Sequence, residues 1–188
     1  MARVIRILSC VTLASLTLVL GTSSAAMAAA TCADATMLPR GADLERIRAA
    51  TLCLLNVERA RRDLPTLRAD EQLGKVAEAY SEKMVRRRFF GHVCPDGSTV
   101  VTRIRKGTEY LRGSLLDWSV GENLGWGTGS RGTPRAIVRA WMRSAGHRRS
   151  ILNRRFRDVG IGIAAGSPRK AGRAALTYTT ELGYRATR

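Results

Sequence analysis

The sequence predicts an α+β domain. Apolar side chains recur at three- and four-residue spacing over residues 43–62 and 70–87, the signature of helices with one buried face. Two strand-like runs, 158–164 and 174–182, close the chain around a turn at Gly166-Ser167-Pro168. No internal repeat, low-complexity linker or second domain interrupts this order, and helices followed by a late antiparallel pair give an α+β fold.

At the N-terminus Arg3 and Arg6 precede an apolar run from Ile7 to Leu20 and a small-residue stretch from Gly21 to Ala30. This is the three-part layout of a secretory signal peptide, with Ala26-Met27-Ala28 as its cleavage site. The apolar run is short for a membrane span. Residues 1–28 are therefore expected to be removed, leaving a tail over 29–43 and a secreted domain over 44–188, enough chain for one core. In the first helix Leu44, Ile47, Leu54, Leu55 and Val57 supply the apolar face, Asp43 caps the start and Leu64-Pro65 ends it. The second runs from about Asp70 to Arg87 on Leu73, Val76, Ala77, Tyr80 and Met84. Phe89-Phe90-Gly91-His92 follows its end, and Cys94-Pro95-Asp96-Gly97-Ser98 is a turn cluster. A short helix is expected over 99–105, whereas the glycine- and serine-rich stretch 106–132 has no clear period. Thr133-Pro134 starts a further helix, because proline suits the first helical position. That helix carries Ile137, Val138 and Trp141, breaks at Ala145-Gly146, and is followed by a helical turn from His147 to Leu152.

The formal charge is +17, or +15 without the signal peptide, and only four of the 32 basic residues are lysine: Lys75, Lys83, Lys106 and Lys170. So basic a balance favours polyanions such as an acidic envelope polymer or anionic lipid. The basic residues are scattered, with no aromatic interleaving and no nucleic-acid-binding motif, so no dedicated nucleic-acid role is expected. Cys10 leaves with the signal peptide, and Cys32, Cys53 and Cys94 remain. Outside the cytoplasm a disulfide is expected. Pairing Cys32 with Cys53 would staple the tail to the first helix, a closure worth roughly 3 kcal/mol in the chain-entropy account. Cys94 is then the odd thiol. It is incidental, an alternative partner for Cys32 or Cys53, or, two residues from His92, part of a thiol–imidazole pair.

The chain has two histidines, His92 and His147, each preceded by glycine, and between them Glu122 sits in Val120-Gly121-Glu122-Asn123-Leu124-Gly125. A glycine-rich loop can turn one side chain inward. Two imidazoles and one carboxylate suit zinc or another divalent ion with open positions. The same three residues also suit a hydrogen-bonded cluster that only holds loops together, with Glu122 accepting from backbone amides. Arg148, Arg149, Arg154, Arg155 and Arg157 flank His147 in sequence and either line a cleft mouth for an anion or form a solvated face.

Six motifs occur in order: LCLLNVERARR at 52–62, FFGH at 89–92, GENL at 121–124, WMRSAGHRRSIL at 141–152, FRDVGIG at 156–162 and YTTELG at 178–183. Together they resemble the CAP superfamily of cysteine-rich secretory, antigen-five and pathogenesis-related proteins, in its bacterial secreted SCP-like branch. The resemblance covers about residues 47–183. It implies a three-layer α-β-α sandwich around a mostly antiparallel sheet, and a cleft in which His92, His147 and Glu122 face a ligand or metal ion. A second acid is implied in the animal and plant branch three residues after the tryptophan. Here that step from Trp141 reaches Ser144, as is common in bacterial relatives, so Ser144 is the fourth cleft residue. Serine there can orient His147 or a water, but it is no general base, and it lacks the G-x-S-x-G setting of a hydrolytic nucleophile. Glu181, in the last motif, is the remaining acid that could enter the cleft.

Three functions follow as expectations. The first is a secreted module binding a ligand or divalent ion in the cleft. The second is a metal-dependent hydrolase in which Glu122 activates water. The third is an electrostatic binder of anionic envelope polymer or lipid. No catalytic residue is assigned by the sequence.

Overall fold

The computed structural model describes residues 32–169 and 174–188. The signal-peptide expectation for residues 1–28 and the first residues of the tail lie outside this range. Each helix opens on its own local chemistry. Helix α1 (Leu44–Ala60) is capped by Asp43, whose side chain accepts from the amides of Glu45 and Arg46. A short strand β1 (Arg68–Ala69) follows, and α2 (Glu71–Arg87) is capped by Asp70, which accepts from the Leu73 amide at 2.9 Å. Helix α3 (Val100–Gly107) starts from a reciprocal capping box between Thr99 and Thr102. Strand β2 (Leu115–Thr128) and a 3₁₀ turn (Gly129–Gly132) lead to α4 (Pro134–Arg143), where Thr133 caps and Pro134 takes the first position. Helix α5 (Ala145–Ile151), strand β3 (Asp158–Ala165) and strand β4 (Ala175–Thr187) complete the chain.

The strands form one sheet in the order β1-β3-β4-β2, with β1 parallel to β3 and the other pairs antiparallel. Strand alternation divides the side chains between two helical layers. Val159, Ile161 and Ile163 of β3 and Leu176, Tyr178 and Leu182 of β4 share a core with Ile47, Leu54 and Leu55 of α1 and Ile137, Val138 and Trp141 of α4. On the opposite face Gly160 and Gly162 bring the backbone of α2 directly onto the sheet, and Ser81 of α2 donates to the Gly162 carbonyl at 3.1 Å. Leu73 and Val76 of α2 pack there with Ile104 of α3 and with Tyr110 and Leu111. The fold is the expected α+β, α-β-α arrangement. Cys32 and Cys53 are disulfide-bonded with their Cα atoms 5.8 Å apart, tying the tail to α1 as expected.

One expectation is corrected. The stretch around Glu122 is not a glycine-rich loop but the middle of β2, a 14-residue outer strand paired with β4 along its length. The last strand likewise runs to Thr187, five residues beyond the expected Leu182, because β2 supplies a partner for that extension.

Candidate functional site

Register on the sheet builds the centre of the site. Glu122 of β2 lies directly across from Glu181 of β4, so both carboxyl groups project from the face covered by α2 and α3. Glu122 is engaged at both oxygens. Oε1 meets His92 Nδ1 at 2.7 Å, and Oε2 accepts from Arg103 Nη2. Glu181 sits beside Glu122, with Arg103 Nη2 3.6 Å from its Oε1, but it is buried beneath the surface of the cleft. Glu181 is fully buried, and neither of its oxygens has a hydrogen-bond partner among the described residues.

Arg103 enters from α3 and is almost enclosed, with 9% of its side chain exposed. Its guanidinium lies over the Tyr80 ring, 3.5 Å from the centroid, and its Nη1 donates to the carbonyls of His92 and Ser98, each at 3.2 Å. Tyr80 donates from its hydroxyl to the Gly91 carbonyl at 2.6 Å, fixing the backbone that presents His92. The sequence gives no signal for Arg103, which is one arginine among many and belongs to none of the recognised motifs.

His147 belongs to α5, on the other side of the sheet, and its carbonyl accepts from the Asn123 side chain at 3.2 Å. Helix α5 and the segment that presents His92 thus both adjoin β2, the outer strand, and the charge of His92 reaches His147. The environments of the two histidines push their pKa values apart. The hydrogen bond to Glu122 raises the His92 pKa against the opposing cost of burial, whereas burial, and then the charge of His92, lowers that of His147. His92 is the readier cation and His147 the readier neutral acceptor. Ser144 occupies the junction of α4 and α5. Its amide donates to Trp141 and its carbonyl accepts from Arg148, while its side chain makes no capping bond. Cys94 is a buried free thiol packed with Tyr80, Met84 and Leu124. Of the arginines near His147, Arg148, Arg149, Arg154 and Arg155 are exposed, and Arg157 donates to carbonyls of its own loop.

Glu122 has no free oxygen to offer a divalent ion, whereas Nε2 of His92 stays open. Both oxygens of Glu122 and one nitrogen of His92 are spent on each other and on a guanidinium. Among the described residues no three His, Cys, Asp or Glu side chains converge as a ligand group. Glu122 is engaged by His92 and Arg103 together. Its geometry orients His92, holding Nδ1 and leaving the opposite ring edge toward solvent, where 57% of the side chain is exposed.

Burial, and then repulsion from Glu122, holds the Glu181 carboxyl well above the ordinary carboxylate range, with Arg103 pulling the other way. The native state therefore keeps a proton that the unfolded chain releases above the ordinary glutamate pKa of about 4.3. Folding stability falls as pH rises through that window, because the unfolded state binds fewer protons. Glu181→Gln removes this dependence. Its stabilising effect relative to wild type is expected to grow from near zero at pH 4 to about 1–3 kcal/mol at pH 8. Urea unfolding at the two pH values checks it, and an effect independent of pH would show that Glu181 holds no proton.

The family profile described as CAP, the cysteine-rich secretory protein family, matches residues 52–180. Protein YkwD of Bacillus subtilis is 35% identical over 116 residues, covering 61% of this chain and 41% of YkwD. Membrane protein YlbC of the same organism is 29% identical over 112 residues, covering 60% of this chain and 30% of YlbC. The chain thus spans well under half the length of these curated relatives. Among solved structures, an outer surface protein of Borrelia burgdorferi superposes with a TM-score of 0.63 at 21% identity, covering 77% of this chain and 97% of that one. An extracellular SCP-domain protein of Bacillus anthracis gives 0.56 at 23% identity, covering 76% and 44%. Among the described residues no helix is long and apolar enough to cross a membrane.

Proposed function

The chain belongs to the CAP family of cysteine-rich secretory proteins, and from that premise we propose that it acts outside the cytoplasm as a binding module for an acidic polymer of the cell envelope. The observation that carries this is a groove of about 690 Å³ between α2 and α3, lined by Lys75, Lys83 and Lys106 beside the apolar surfaces of Val76, Ala79 and Tyr80. Three of the chain's four lysines thus meet in one concavity. A second groove, of about 570 Å³ between α1 and α2, is more acidic, with Glu45, Asp70, Glu71 and Glu78 in its lining beside Arg48 and Lys75. The two grooves therefore differ in their balance of charge. Arg103 and Tyr80 belong both to the lysine groove and to the Glu122 cluster, so the groove adjoins the cleft edge where His92 is exposed. Lys75 and Lys83 pair with the exposed Glu71 and Asp96, contacts that a polyanion can displace at small cost. Relatives described as an extracellular protein and an outer surface protein support the location.

The test is binding to poly(glycerol phosphate) at about 0.1 M salt, where exposed charges act over about 10 Å. Exchanging Lys75, Lys83 and Lys106 together for glutamine is expected to weaken binding about tenfold or more, close to 1.4 kcal/mol. Exchanging Arg139, Arg143 and Arg149, which are exposed on α4 and α5, removes the same charge and is expected to change it less than about twofold. Equal losses in the two triple variants would reduce the effect to overall charge and sink the groove. Binding to anionic vesicles but not to the polymer would replace the polymer by a lipid surface.

A further inference from the structure

We infer that Arg103 is the resident cation of the two-glutamate cluster, and that its guanidinium bars divalent metal from the cleft that His92 and Glu122 would otherwise offer. Two carboxyl groups and an imidazole gathered on one sheet face are ligand types that ordinarily attract a divalent ion. Here the position between them is taken. Arg103 Nη2 donates to Glu122 Oε2 and stands 3.6 Å from Glu181 Oε1. The guanidinium does not swing in from solvent. Tyr80 stacks beneath it, the carbonyls of His92 and Ser98 accept from Nη1, and only 9% of the side chain is exposed. An incoming dication could reach His92 only at Nε2, close to a fixed positive charge and with both oxygens of Glu122 already engaged. Yet Arg103 leaves the cluster incompletely served, because among the described residues Glu181 has no hydrogen-bond partner and Arg103 Nε has none either. The arrangement is that of a cation site filled by a side chain. Arg103 is thus a positioning residue: it fixes Glu122, and through Glu122 it fixes His92. This inference rests on the cluster alone and stands or falls separately from polymer binding in the lysine groove.

The experiment is a zinc titration of the purified protein near neutral pH, read by calorimetry and by the ring signals of His92 and His147. Wild type is expected to show no saturable shift of the His92 signals up to about 0.1 mM zinc. Arg103→Gln frees both carboxyl groups, and its zinc affinity is expected to rise at least thirtyfold. That gain should disappear in Arg103→Gln combined with Glu122→Gln. If Arg103→Gln does not fold, as judged by its thermal melt, the variant Arg103→Gln with Glu181→Gln, which also removes the second buried carboxyl, serves instead. It should still bind zinc at least fivefold more tightly than wild type. Stoichiometric zinc binding by wild type that is lost in His92→Ala overturns the inference. So does failure of every folded Arg103 variant to gain zinc affinity.

Discussion

Replacing Gly162 with alanine lowers stability by about 4 kcal/mol or more, a loss reserved for changes a core cannot absorb. A Cβ at that position would stand 2.0 Å from the carbonyl carbon of Ala77 and 2.1 Å from the amide nitrogen of Glu78. Gly160 meets Leu73 and Gly74 in the same way, at 2.0 and 2.2 Å. These neighbours are helix backbone, so no side-chain rotation relieves the clash, and α2 must move off the sheet as a body. That movement breaks the contacts of Ser81 with the Gly162 carbonyl and with Thr179 Oγ1, and it loosens Leu73, Tyr80 and Met84, all buried beneath the helix. Ordinary overpacking costs about 1–3 kcal/mol because side chains yield, and here they cannot. Gly74→Ala on the same helix is the control. It has open space around it, and alanine should stabilise α2 by up to about 1 kcal/mol. Urea unfolding of the three proteins decides the point, and a cost below about 1 kcal/mol for Gly162→Ala would mean that α2 does not sit on β3 as described. The site should suffer as well, since α2 carries Tyr80 and ends just before the segment that presents His92.

The helices are legible in the sequence because their causes are local. Asp43, Asp70 and Thr133-Pro134 announce helix starts within a few residues, and the apolar spacing of α1 and α2 gives their buried faces directly. Strand β2 is illegible for the opposite reason. Its glycines suggest a loop, yet Gly125 is there because Ile137 and the Trp141 indole would each lie 3.2 Å from a Cβ, with Trp141 Nε1 donating to the Leu124 carbonyl at 2.8 Å. Glycine in this strand reports close packing by α4, and only the tertiary fold reveals that. The same limit governs the site. His92, Glu122 and His147 can be picked out as rare or oddly placed residues. Glu181 gains its meaning only from the register of β4 against β2, and Arg103 only from the packing of α3 over Tyr80. The disulfide lies between these cases, because export and an odd number of cysteines narrow the pairing while the fold selects it.

Arg59→Met is expected to cost about 3–5 kcal/mol, the range for stripping a buried charge network of one partner. Arg59 is fully buried in α1 and, among the described residues, pairs with no carboxylate. Its guanidinium instead donates to four backbone carbonyls: Pro65 at 2.7 Å, Ile151 at 2.7 Å, Asn153 at 3.0 Å and Phe156 at 3.0 Å. Burial, and then the charge of Arg157, lowers its pKa, so the carbonyl dipoles are what hold the charged form. Methionine fills comparable volume but leaves those carbonyls without their donor, and each unpaired buried polar group costs about 1–3 kcal/mol. Lysine keeps the charge but not the planar fork that reaches carbonyls on both sides. Arg59→Lys should therefore recover less than half of the loss in urea unfolding, and full recovery would show that charge alone matters. The segment from Ile151 to Phe156 joins α5 to β3, so Arg59 also anchors the C-terminal end of the helix that bears His147. Amide exchange across residues 151–157 should accelerate in Arg59→Met well before α2 loosens. If exchange rises uniformly through the domain instead, Arg59 supports the whole fold and has no particular hold on the His147 helix.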